Sequence, residues 1–343
     1  MTSAIVVHPL YEDVWPCAAD YLRKLWKKED EPVEFIHLSE DDERPLGEVL
    51  EGEDLTELTR IVSLGVPVTD ECLDVLEAVE EAAVMTDNMY EMDSEVSNLL
   101  EERGVTTYTH QSEGFWSQSV AELGLGLTIG ALRQIPQKHT SITNSQDDWD
   151  VELLENDAPG AQGHQYVNNP PTHVHGTIAG KNVRIVGVGN IGSRFADYTD
   201  NFGADVAAYD PYADQPCFHR TGARQVYRMD ELIEDADIFA PMVPLTDSTR
   251  RLVTRDHIER LPTGSLLLLV TRAGICDMDA VRERVLNGEI ALAADVFDVE
   301  PLPLDDPLLG RDNVVHTPHV AGRTRHANEK WAEDLASQFR DRS

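Results

Sequence analysis

Short apolar runs alternate with acidic amphipathic stretches over the first third of the chain. The runs have the length and apolar content of strands, and the stretches between them repeat apolar residues with a helical period. The predicted strands are 4–8, 33–38, 59–64, 82–86 and 106–110, and the predicted helices are 17–27, 70–79 and 93–103. This alternation predicts a parallel sheet with helices on both faces.

A second alternating series begins at Lys181. Its predicted strands are 183–188, 205–210, 237–242, 265–270, 290–297 and 313–317, and its predicted helices are 191–202, 229–234 and 277–287. Six strands joined by crossovers in this order predict a doubly wound dinucleotide-binding fold. The predicted fold class is therefore α/β, with two doubly wound parallel-sheet domains.

Three further segments complete the organisation of the chain. The apolar segment 117–135 carries small and large residues on several faces, which predicts a helix buried against another domain or a second subunit. The segment 138–176 is polar and rich in Asn, Pro and Asp. We interpret it as a long excursion, because loops of that length in compact enzymes are usually functional or lie at an interface. The amphipathic segment 323–340 is expected to return to the first domain.

The chain carries 63 acidic residues against 28 basic ones, which gives a formal net charge of -35. The acids are dispersed, so this charge argues against a nucleic acid or an anionic membrane as partner, since both would repel it. Lysine is scarce among the basic residues. The combination resembles proteins of salt-loving archaea, in which high salt screens the self-repulsion. An ordinary acidic cytosolic enzyme is the alternative interpretation.

The sequence indicates neither a metal site nor a disulfide framework. Its cysteines are scattered without paired spacing, which favours a reducing compartment. The chain begins with a strand pattern instead of a leader, and no apolar run approaches the roughly 18 residues of a membrane span. We therefore expect a cytoplasmic protein. The cysteines are Cys17, Cys72, Cys217 and Cys276, and the histidines of the excursion, also without metal-ligand spacing, are His139, His164, His173 and His175.

A glycine-rich turn opens the second series. Gly187, Gly189 and Gly192 have G-x-G-x-x-G spacing, and Asn190 and Ile191 lie between the last two glycines. The first glycine permits a tight turn, the second lets a pyrophosphate approach the backbone, and the third allows close helix packing. Such a turn places an anion at the helix N-terminus. Glycine is also common in ordinary strand-to-helix turns, so the pattern alone is weak.

An acidic residue follows the next predicted strand. Asp210 lies 18 positions after Gly192, where a carboxylate can accept hydrogen bonds from both ribose hydroxyls and repel a 2′-phosphate. NAD is therefore favoured over NADP. The alternative is a strand-end aspartate that only begins the turn DPYAD.

Three polar residues follow later strands of the second series. Arg272 follows SLLLLV, Glu300 follows ALAADVF, and His319 follows NVVHT. Each also has an alternative interpretation: Arg272 could be a surface residue, Glu300 an acid in a proline turn, and His319 a packed imidazole. Ligands bind at the carboxyl ends of strands in doubly wound sheets, and all three residues fall at that edge beside the predicted cofactor.

These motifs, in this order, resemble the D-isomer-specific 2-hydroxyacid dehydrogenase family, and phosphoglycerate dehydrogenase-like members in particular. The resemblance extends from Ser119 to Gly322. It is carried by SVAELGLGL, GVGNIG with its strand-end aspartate, PLTDSTRRL, TRAGICD, DVFDVEP and TPHVAG.

The resemblance implies the roles of the polar residues. Arg272 would bind the carboxylate and carbonyl of a 2-oxoacid, and His319 would be the general acid and base. Glu300 would hydrogen-bond the imidazole and favour its protonated form. These roles suit the chemistry, because hydride delivery places negative charge on a carbonyl oxygen that then needs a proton and a nearby cation.

The resemblance also implies cofactor contacts. Asp295 would face the nicotinamide ring, and Val243, Pro244 and Thr271 would line the cofactor cleft, with Thr249 of PLTDSTRRL beside them.

The family further implies a flavodoxin-like substrate domain at 1–115, a Rossmann NAD-binding domain at 116–321, and a terminal helix at 322–343 that returns to the substrate domain. The active site would lie in the cleft between the two domains, and a homodimer would form through the cofactor domain.

One loop departs from the family pattern. Members carry a glycine-containing loop that holds the substrate carboxylate, whereas Met89, Tyr90 and Glu91 occupy the corresponding positions here and would line the substrate pocket. The predicted activity is an NAD-dependent oxidoreductase acting on a 2-hydroxyacid with an unusual second-carbon substituent. An NAD-binding sensor without turnover, and a formate- or phosphite-oxidising relative, are the alternatives.

Overall fold

The structure is a computed structural model that describes residues 2–28, 32–51, 58–69, 72, 75–85, 94–110, 113–146 and 173–340. The chain divides into two compact units. The first unit comprises Met1–Trp116 and Arg323–Ser343, and the second comprises Ser117–Gly322. Each unit contains one parallel sheet, which confirms the predicted fold class.

The first unit is built on a five-stranded parallel sheet in the order β2-β1-β3-β4-β5. This is the flavodoxin-like order, in which the chain winds outward in both directions from its first strand. Strand β4, EAAVM, is buried along its whole length, and four of its five residues are apolar. The strands are β1 (Thr2–Val7), β2 (Val33–His37), β3 (Leu58–Leu64), β4 (Glu81–Met85) and β5 (Thr106–Thr107), and the helices are α1 (Pro9–Glu12), α2 (Ala18–Lys28), α3 (Leu46–Glu51) and α4 (Ser94–Glu102).

The predicted helix over 70–79 is wrong in its described part. Cys72 and residues 75–79 form turns, in which the amides of Val75 and Val79 donate to carbonyls three residues earlier. The Cys72 sulfur also accepts hydrogen bonds from the backbone amides of Gly47 and Thr69. The Gly47 amide is distant in sequence from Cys72. The spacing of apolar residues within 70–79 could not reveal such a contact.

The second unit is built on a seven-stranded parallel sheet in the order β12-β11-β10-β9-β6-β7-β8. The six predicted strands are all present. The seventh, β8, was not predicted, because its three residues, RQV, contain no apolar run. The strands are β6 (Asn182–Val186), β7 (Asp205–Tyr209), β8 (Arg224–Val226), β9 (Ile238–Pro241), β10 (Leu266–Leu269), β11 (Ala291–Ala294) and β12 (Val314–His316).

Helices cover both faces of this second sheet. They are α5 (Ser117–Arg133), α6 (Ile135–Ile142), α7 (Asn190–Asn201), α8 (Gln215–His219), α9 (Asp230–Ile233), α10 (Arg255–Arg260) and α11 (Met278–Leu286). The last helix of the chain, α12 (Arg325–Ala336), belongs to the first unit. None of the helices in the described ranges is long and apolar enough for a membrane crossing.

The long apolar helix α5 packs within its own unit. A Cβ added at Gly124 would lie 3.5 Å from Val270 Cγ2, next to β10. Burial of this helix against another domain or a second subunit stays a prediction. The helix ends at Arg133 because Gln134 adopts a left-handed conformation, with φ 51°. The start of the predicted excursion is helical, as α6, while residues 147–172 of the excursion, including His164, lie outside the described residues.

An aromatic cluster joins the last helix to the sheet of the first unit. Trp331 of α12 is fully buried, and its ring centroid lies 5.0 Å from that of His110 and 5.9 Å from that of Tyr11. His110 also packs on Phe115, with 4.7 Å between centroids. Desolvation by burial lowers the pKa of His110 to about 4, against a weaker opposing influence of the Asp334 carboxylate.

The buried imidazole makes the stability of the first unit depend on pH. The unfolded chain binds a proton at His110 below about pH 6.5, whereas the folded chain resists protonation down to about pH 4. The free energy of unfolding therefore falls as the pH falls through this window. We expect His110 to account for a loss of about 2 kcal/mol between pH 7 and pH 5, measured by urea unfolding.

The variant His110→Phe should lose that part of the pH dependence, because the ring remains but cannot be protonated. His326 is an exposed histidine of the same unit and provides the control, so His326→Gln should keep the slope of the unmodified protein. If the free energy of unfolding fell equally with pH in His110→Phe and in the unmodified protein, this account would be contradicted.

Candidate active site

The glycine turn lies at the carboxyl end of β6. Gly187 has φ +95°, and a Cβ there would lie 2.7 Å from Val243 Cγ1. Only glycine therefore fits without displacing Val243, which follows β9. A Cβ at Gly192 would overlap the carbonyl oxygen of Gly187. At Gly189, by contrast, no heavy atom lies within 4 Å of the added Cβ. Two glycines are thus required by packing, and the third leaves the backbone open to a ligand.

Helix α7 points its N-terminus at this opening. Gly189 is the N-cap residue and supplies no side-chain hydrogen bond to the helix, which begins with Asn190 and Ile191. The first amides of a 12-residue helix therefore remain available to an anion, and the helix dipole favours negative charge there. The open glycine and the uncapped amides fit the pyrophosphate of a dinucleotide.

Asp210 lies directly after β7 and is tied to the same turn. Its Oδ2 accepts a hydrogen bond from the Val188 amide at 2.9 Å, and its Oδ1 accepts from the amides of Tyr212 at 2.9 Å and Ala213 at 3.1 Å. These bonds fix the carboxylate beside the glycine turn. Oδ2 accepts only one of these bonds and has a further lone pair, so the carboxylate can still accept from a ribose hydroxyl.

The other predicted cofactor residues lie at the ends of β9 and β10. Val243 packs on the glycine turn, as described, and Pro244 follows it. The Thr249 hydroxyl donates to the Pro244 carbonyl at 2.6 Å, which closes the loop after β9. Thr271 is buried, and its hydroxyl donates to the Pro241 carbonyl at 3.4 Å. The loops after these two neighbouring strands are thereby bound to each other.

Arg272 emerges at the end of the segment that follows β10. It is exposed and precedes a short 3₁₀ turn, Ala273–Ile275. Its guanidinium donates to the Thr271 carbonyl at 2.8 Å, and it has no carboxylate partner among the described residues. The positive charge therefore remains available to an anionic ligand.

His319 and Glu300 form a hydrogen-bonded pair. His319 Nδ1 lies 2.6 Å from Glu300 Oε2, and Glu300 Oε1 accepts from the Phe297 amide at 2.7 Å. The carboxylate is thus fixed by the backbone while it orients the imidazole. In the described part of the chain Nε2 of His319 has no hydrogen-bond partner, so it is the nitrogen that can meet a substrate.

The backbone of His319 is in the left-handed region, with φ +53°. This conformation is uncommon for residues with a side chain and costs about 1–2 kcal/mol. In this conformation Nδ1 of the imidazole lies 2.6 Å from Glu300 Oε2. The surrounding loop must therefore be held by other contacts.

Asp295 supplies those contacts. Its carboxylate is fully buried after β11, and it accepts hydrogen bonds from the Thr317 hydroxyl at 2.5 Å and the amides of Val320 at 2.9 Å and Ala321 at 2.8 Å. Oδ1 thus binds residues on both sides of His319, and Oδ2 binds Ala321 after it. This role was not predicted, because two of the three donors are backbone amides, which no sequence motif identifies. Contact of Asp295 with a nicotinamide ring stays a prediction.

Arg272, Glu300 and His319 line one cavity of about 470 Å³ in the second unit. The cavity also reaches residues that the sequence did not single out, among them Arg250, Arg251 and Phe297. The three substrate-loop residues predicted from sequence lie outside the described residues; they are Met89, Tyr90 and Glu91. No group of three or more His, Cys, Asp or Glu is arranged for a metal ion within the described ranges.

Asp295 should be needed for the loop that carries His319. The variant Asp295→Asn keeps the shape but replaces one acceptor by an amide NH₂ that faces hydrogen-bond donors. We expect it to lose on the order of 1–3 kcal/mol of unfolding free energy, as for a buried group left unpaired, measured by urea unfolding of the whole chain. Asp305→Asn, at an exposed position in the following loop, is the matched control and should leave stability unchanged. Equal stability of the two variants would contradict the proposed role.

Comparison with known proteins adds independent findings. Residues 125–321 match the model of the NAD binding domain of the D-isomer specific 2-hydroxyacid dehydrogenases. The D-3-phosphoglycerate dehydrogenase of Methanocaldococcus jannaschii is 30% identical over 284 residues, which cover 82% of this chain and 48% of that protein. The hydroxypyruvate reductase of Thermotoga maritima is 28% identical over 273 residues, 78% of this chain and 79% of that one.

The fold also matches solved structures. The NAD-complexed D-isomer specific 2-hydroxyacid dehydrogenase of Lactobacillus delbrueckii ssp. bulgaricus aligns with a TM-score of 0.70 at 19% identity, covering 98% of this chain and 95% of that one. The chain spans about half the length of the M. jannaschii D-3-phosphoglycerate dehydrogenase, since the match covers 48% of it. With its glycine turn, uncapped helix and matching NAD binding domain, the chain belongs to the D-isomer specific 2-hydroxyacid dehydrogenase family.

Proposed function

We propose that this chain catalyses the NAD-dependent interconversion of a D-2-hydroxyacid and its 2-oxoacid. The observation that carries the proposal is the His319–Glu300 pair, 2.6 Å apart, on the same cavity as Arg272. A proton donor and a free cation on one cavity suit the reduction of a carbonyl beside a carboxylate. Neither is required merely to bind a dinucleotide.

The glycine turn and the start of α7 would hold the pyrophosphate of NAD, and Asp210 would bind its ribose. Val243, Pro244, Thr249 and Thr271 would lie along the cofactor. When bound, NAD supplies the hydride acceptor or donor. The negative charge of Asp210 favours NAD, because it would repel the additional phosphate of NADP.

The residues of the chain perform the remaining steps. Arg272 binds the substrate carboxylate and draws electron density from the carbonyl, since a guanidinium can pair with both groups. In the reducing direction Nε2 of His319 gives its proton to the carbonyl oxygen as the carbon accepts hydride, and in the oxidising direction it removes that proton. Glu300 fixes Nδ1, which keeps Nε2 directed at the substrate.

A panel of 2-oxoacids with NADH, followed at the nicotinamide absorbance, tests the proposal. His319→Gln should lower kcat by about 10²–10⁴, the usual contribution of a placed acid or base. Glu300→Gln should lower it by about 10- to 100-fold, since it exchanges a charge-assisted hydrogen bond for a neutral one. His219→Gln, at the exposed last residue of α8, is the matched control and should retain full activity.

Binding of NADH without turnover of any 2-oxoacid would overturn the proposal in favour of an NAD-binding sensor. Reduction of NAD by formate or phosphite alone would indicate a different substrate class. The same panel run with NADPH should proceed more slowly, because the Asp210 carboxylate disfavours the 2′-phosphate.

We propose that Met89, Tyr90 and Glu91 contact the substituent on the second carbon of the substrate. We also propose a cytoplasmic homodimer adapted to high salt. The support for salt adaptation is the net charge of -35 on 343 residues, which opposes the compact state in dilute buffer.

Stability should therefore rise with salt. Raising KCl from 0.1 M to 1 M shortens the screening length from about 10 Å to about 3 Å, so the repulsion between exposed carboxylates weakens. We expect the melting temperature to rise by several degrees, at about 2–4 °C for each kcal/mol gained. Sucrose at matched osmolality is the uncharged control for the melting temperature. Light scattering of the same samples gives the mass of the assembly and so tests the proposed homodimer. A melting temperature that is the same in dilute buffer and molar KCl would rule out salt adaptation.

A further inference from the structure

Two arginines beside the catalytic pair have no part in the reaction as proposed. Arg250 and Arg251 line the cavity of about 470 Å³ together with Arg272, and both are exposed. The chain has only 28 basic residues against 63 acidic ones. Three arginines on one cavity therefore form an unusual local concentration of positive charge.

The backbone fixes these arginines relative to the segment that follows Arg272. The Arg251 amide donates to the Gly274 carbonyl at 2.9 Å, and the Val253 amide donates to the Ile275 carbonyl at 3.0 Å. A Cβ added at Gly274 would lie 3.9 Å from Nη1 of Arg250, so the guanidinium lies against this glycine. Backbone hydrogen bonds therefore join the segment that carries Arg250 and Arg251 to the segment that follows Arg272.

Most carboxylates on the cavity already have a partner. Glu300 binds His319, and Asp298 is paired with Arg282 at 2.7 Å. Arg251 has only long ion pairs, at 3.8 Å to Asp277 and 3.9 Å to Asp279.

Arg250 has no carboxylate partner in the described ranges. The cavity therefore holds positive charge that the protein itself does not neutralise.

The backbone at Arg251 supports a ligand-binding role. Its φ is +53°, in the left-handed region where glycine would be less strained. The arginine is 64% exposed at its side chain, so it gains little from burial. A strained conformation that presents a charged side chain to a cavity is characteristic of functional sites.

We propose that Arg250 and Arg251 bind a second anionic group of the substrate, at the end remote from the carboxylate held by Arg272. The preferred substrate is then a 2-hydroxyacid or 2-oxoacid with a distal carboxylate or phosphate. Guanidinium groups bind both anions through paired hydrogen bonds, which gives specificity as well as attraction. The inference rests on the proposed function, because it assigns the substrate of the same site.

Matched substrates test this assignment. The values of kcat/KM with NADH are compared for 2-oxoglutarate against 2-oxopentanoate, and for 3-phosphohydroxypyruvate against hydroxypyruvate. The unmodified enzyme should prefer the charged member of at least one pair by 10-fold or more. Arg250→Gln and Arg251→Gln should each reduce kcat/KM for that member by about 10- to 100-fold, and leave the uncharged member within about twofold.

Arg255→Gln is the matched control, because Arg255 is an exposed arginine on α10 whose charge pairs with Glu259 and Glu283 outside the cavity. Arg250→Lys should recover part of the lost preference, since the charge is kept but the paired hydrogen bonds are not. The pair that shows the preference identifies the distal group as carboxylate or phosphate.

Calorimetric titration of the His319→Gln variant with NADH present measures binding without turnover. The same charged member should bind more tightly, and Arg250→Gln in that background should remove the difference. Equal kcat/KM within both pairs, or a preference that Arg250→Gln and Arg251→Gln leave intact, would overturn the inference while the proposed function stands. Absence of turnover with every 2-oxoacid would instead overturn the proposed function.

Discussion

The buried carboxylate of Asp295 holds together the part of the molecule on which the proposed chemistry depends. It binds residues on both sides of His319, at Thr317, Val320 and Ala321. Burial of a charge is costly unless every oxygen is hydrogen-bonded, and here three donors meet two oxygens. The left-handed backbone at His319 is stable because this anchor compensates for its strain.

Charge is distributed very differently in the core and on the surface. In the second unit the buried Arg184 of β6 binds Asp235 at 2.6 Å and Asp205 at 2.9 Å, so its charge is neutralised where the strand begins. In the whole sequence, by contrast, 63 acidic residues stand against 28 basic ones, so carboxylates outnumber their possible cationic partners by more than two to one. Against that background the arginines of the cavity differ in remaining available to a ligand. This contrast, and not the number of arginines, makes the cavity suitable for an anion.

The sequence revealed the fold and the polar residues well, because both leave local signals. Strands such as β10 are continuous apolar runs, and Arg272 and His319 directly follow such runs. Strand β8 was missed because RQV is too short and too polar to have a period. The turns around Cys72 were predicted as a helix because the decisive partners of its sulfur include the distant Gly47 amide.

The roles that depend on backbone partners could not be predicted. Glu300 binds the Phe297 amide, and Asp295 binds two further backbone amides. A backbone amide is the same group in almost every residue, so no sequence motif can identify these partners. Arg250 and Arg251 stood in a recognised motif, but it is long-range backbone pairing, such as the hydrogen bond from the Arg251 amide to the Gly274 carbonyl, that brings the motif to the cavity. Long-range pairing of backbone segments thus limits what local patterns can reveal.

The left-handed conformation of His319 has a consequence for redesign of the site. A histidine and a glutamate placed at equivalent strand ends of another Rossmann scaffold would not reproduce this geometry, because the imidazole would follow an ordinary extended backbone. The transplant would need the buried Asp295 and the loop it binds as one unit. The smallest transferable part of this centre is therefore a folded loop with its anchor, and not a set of side chains.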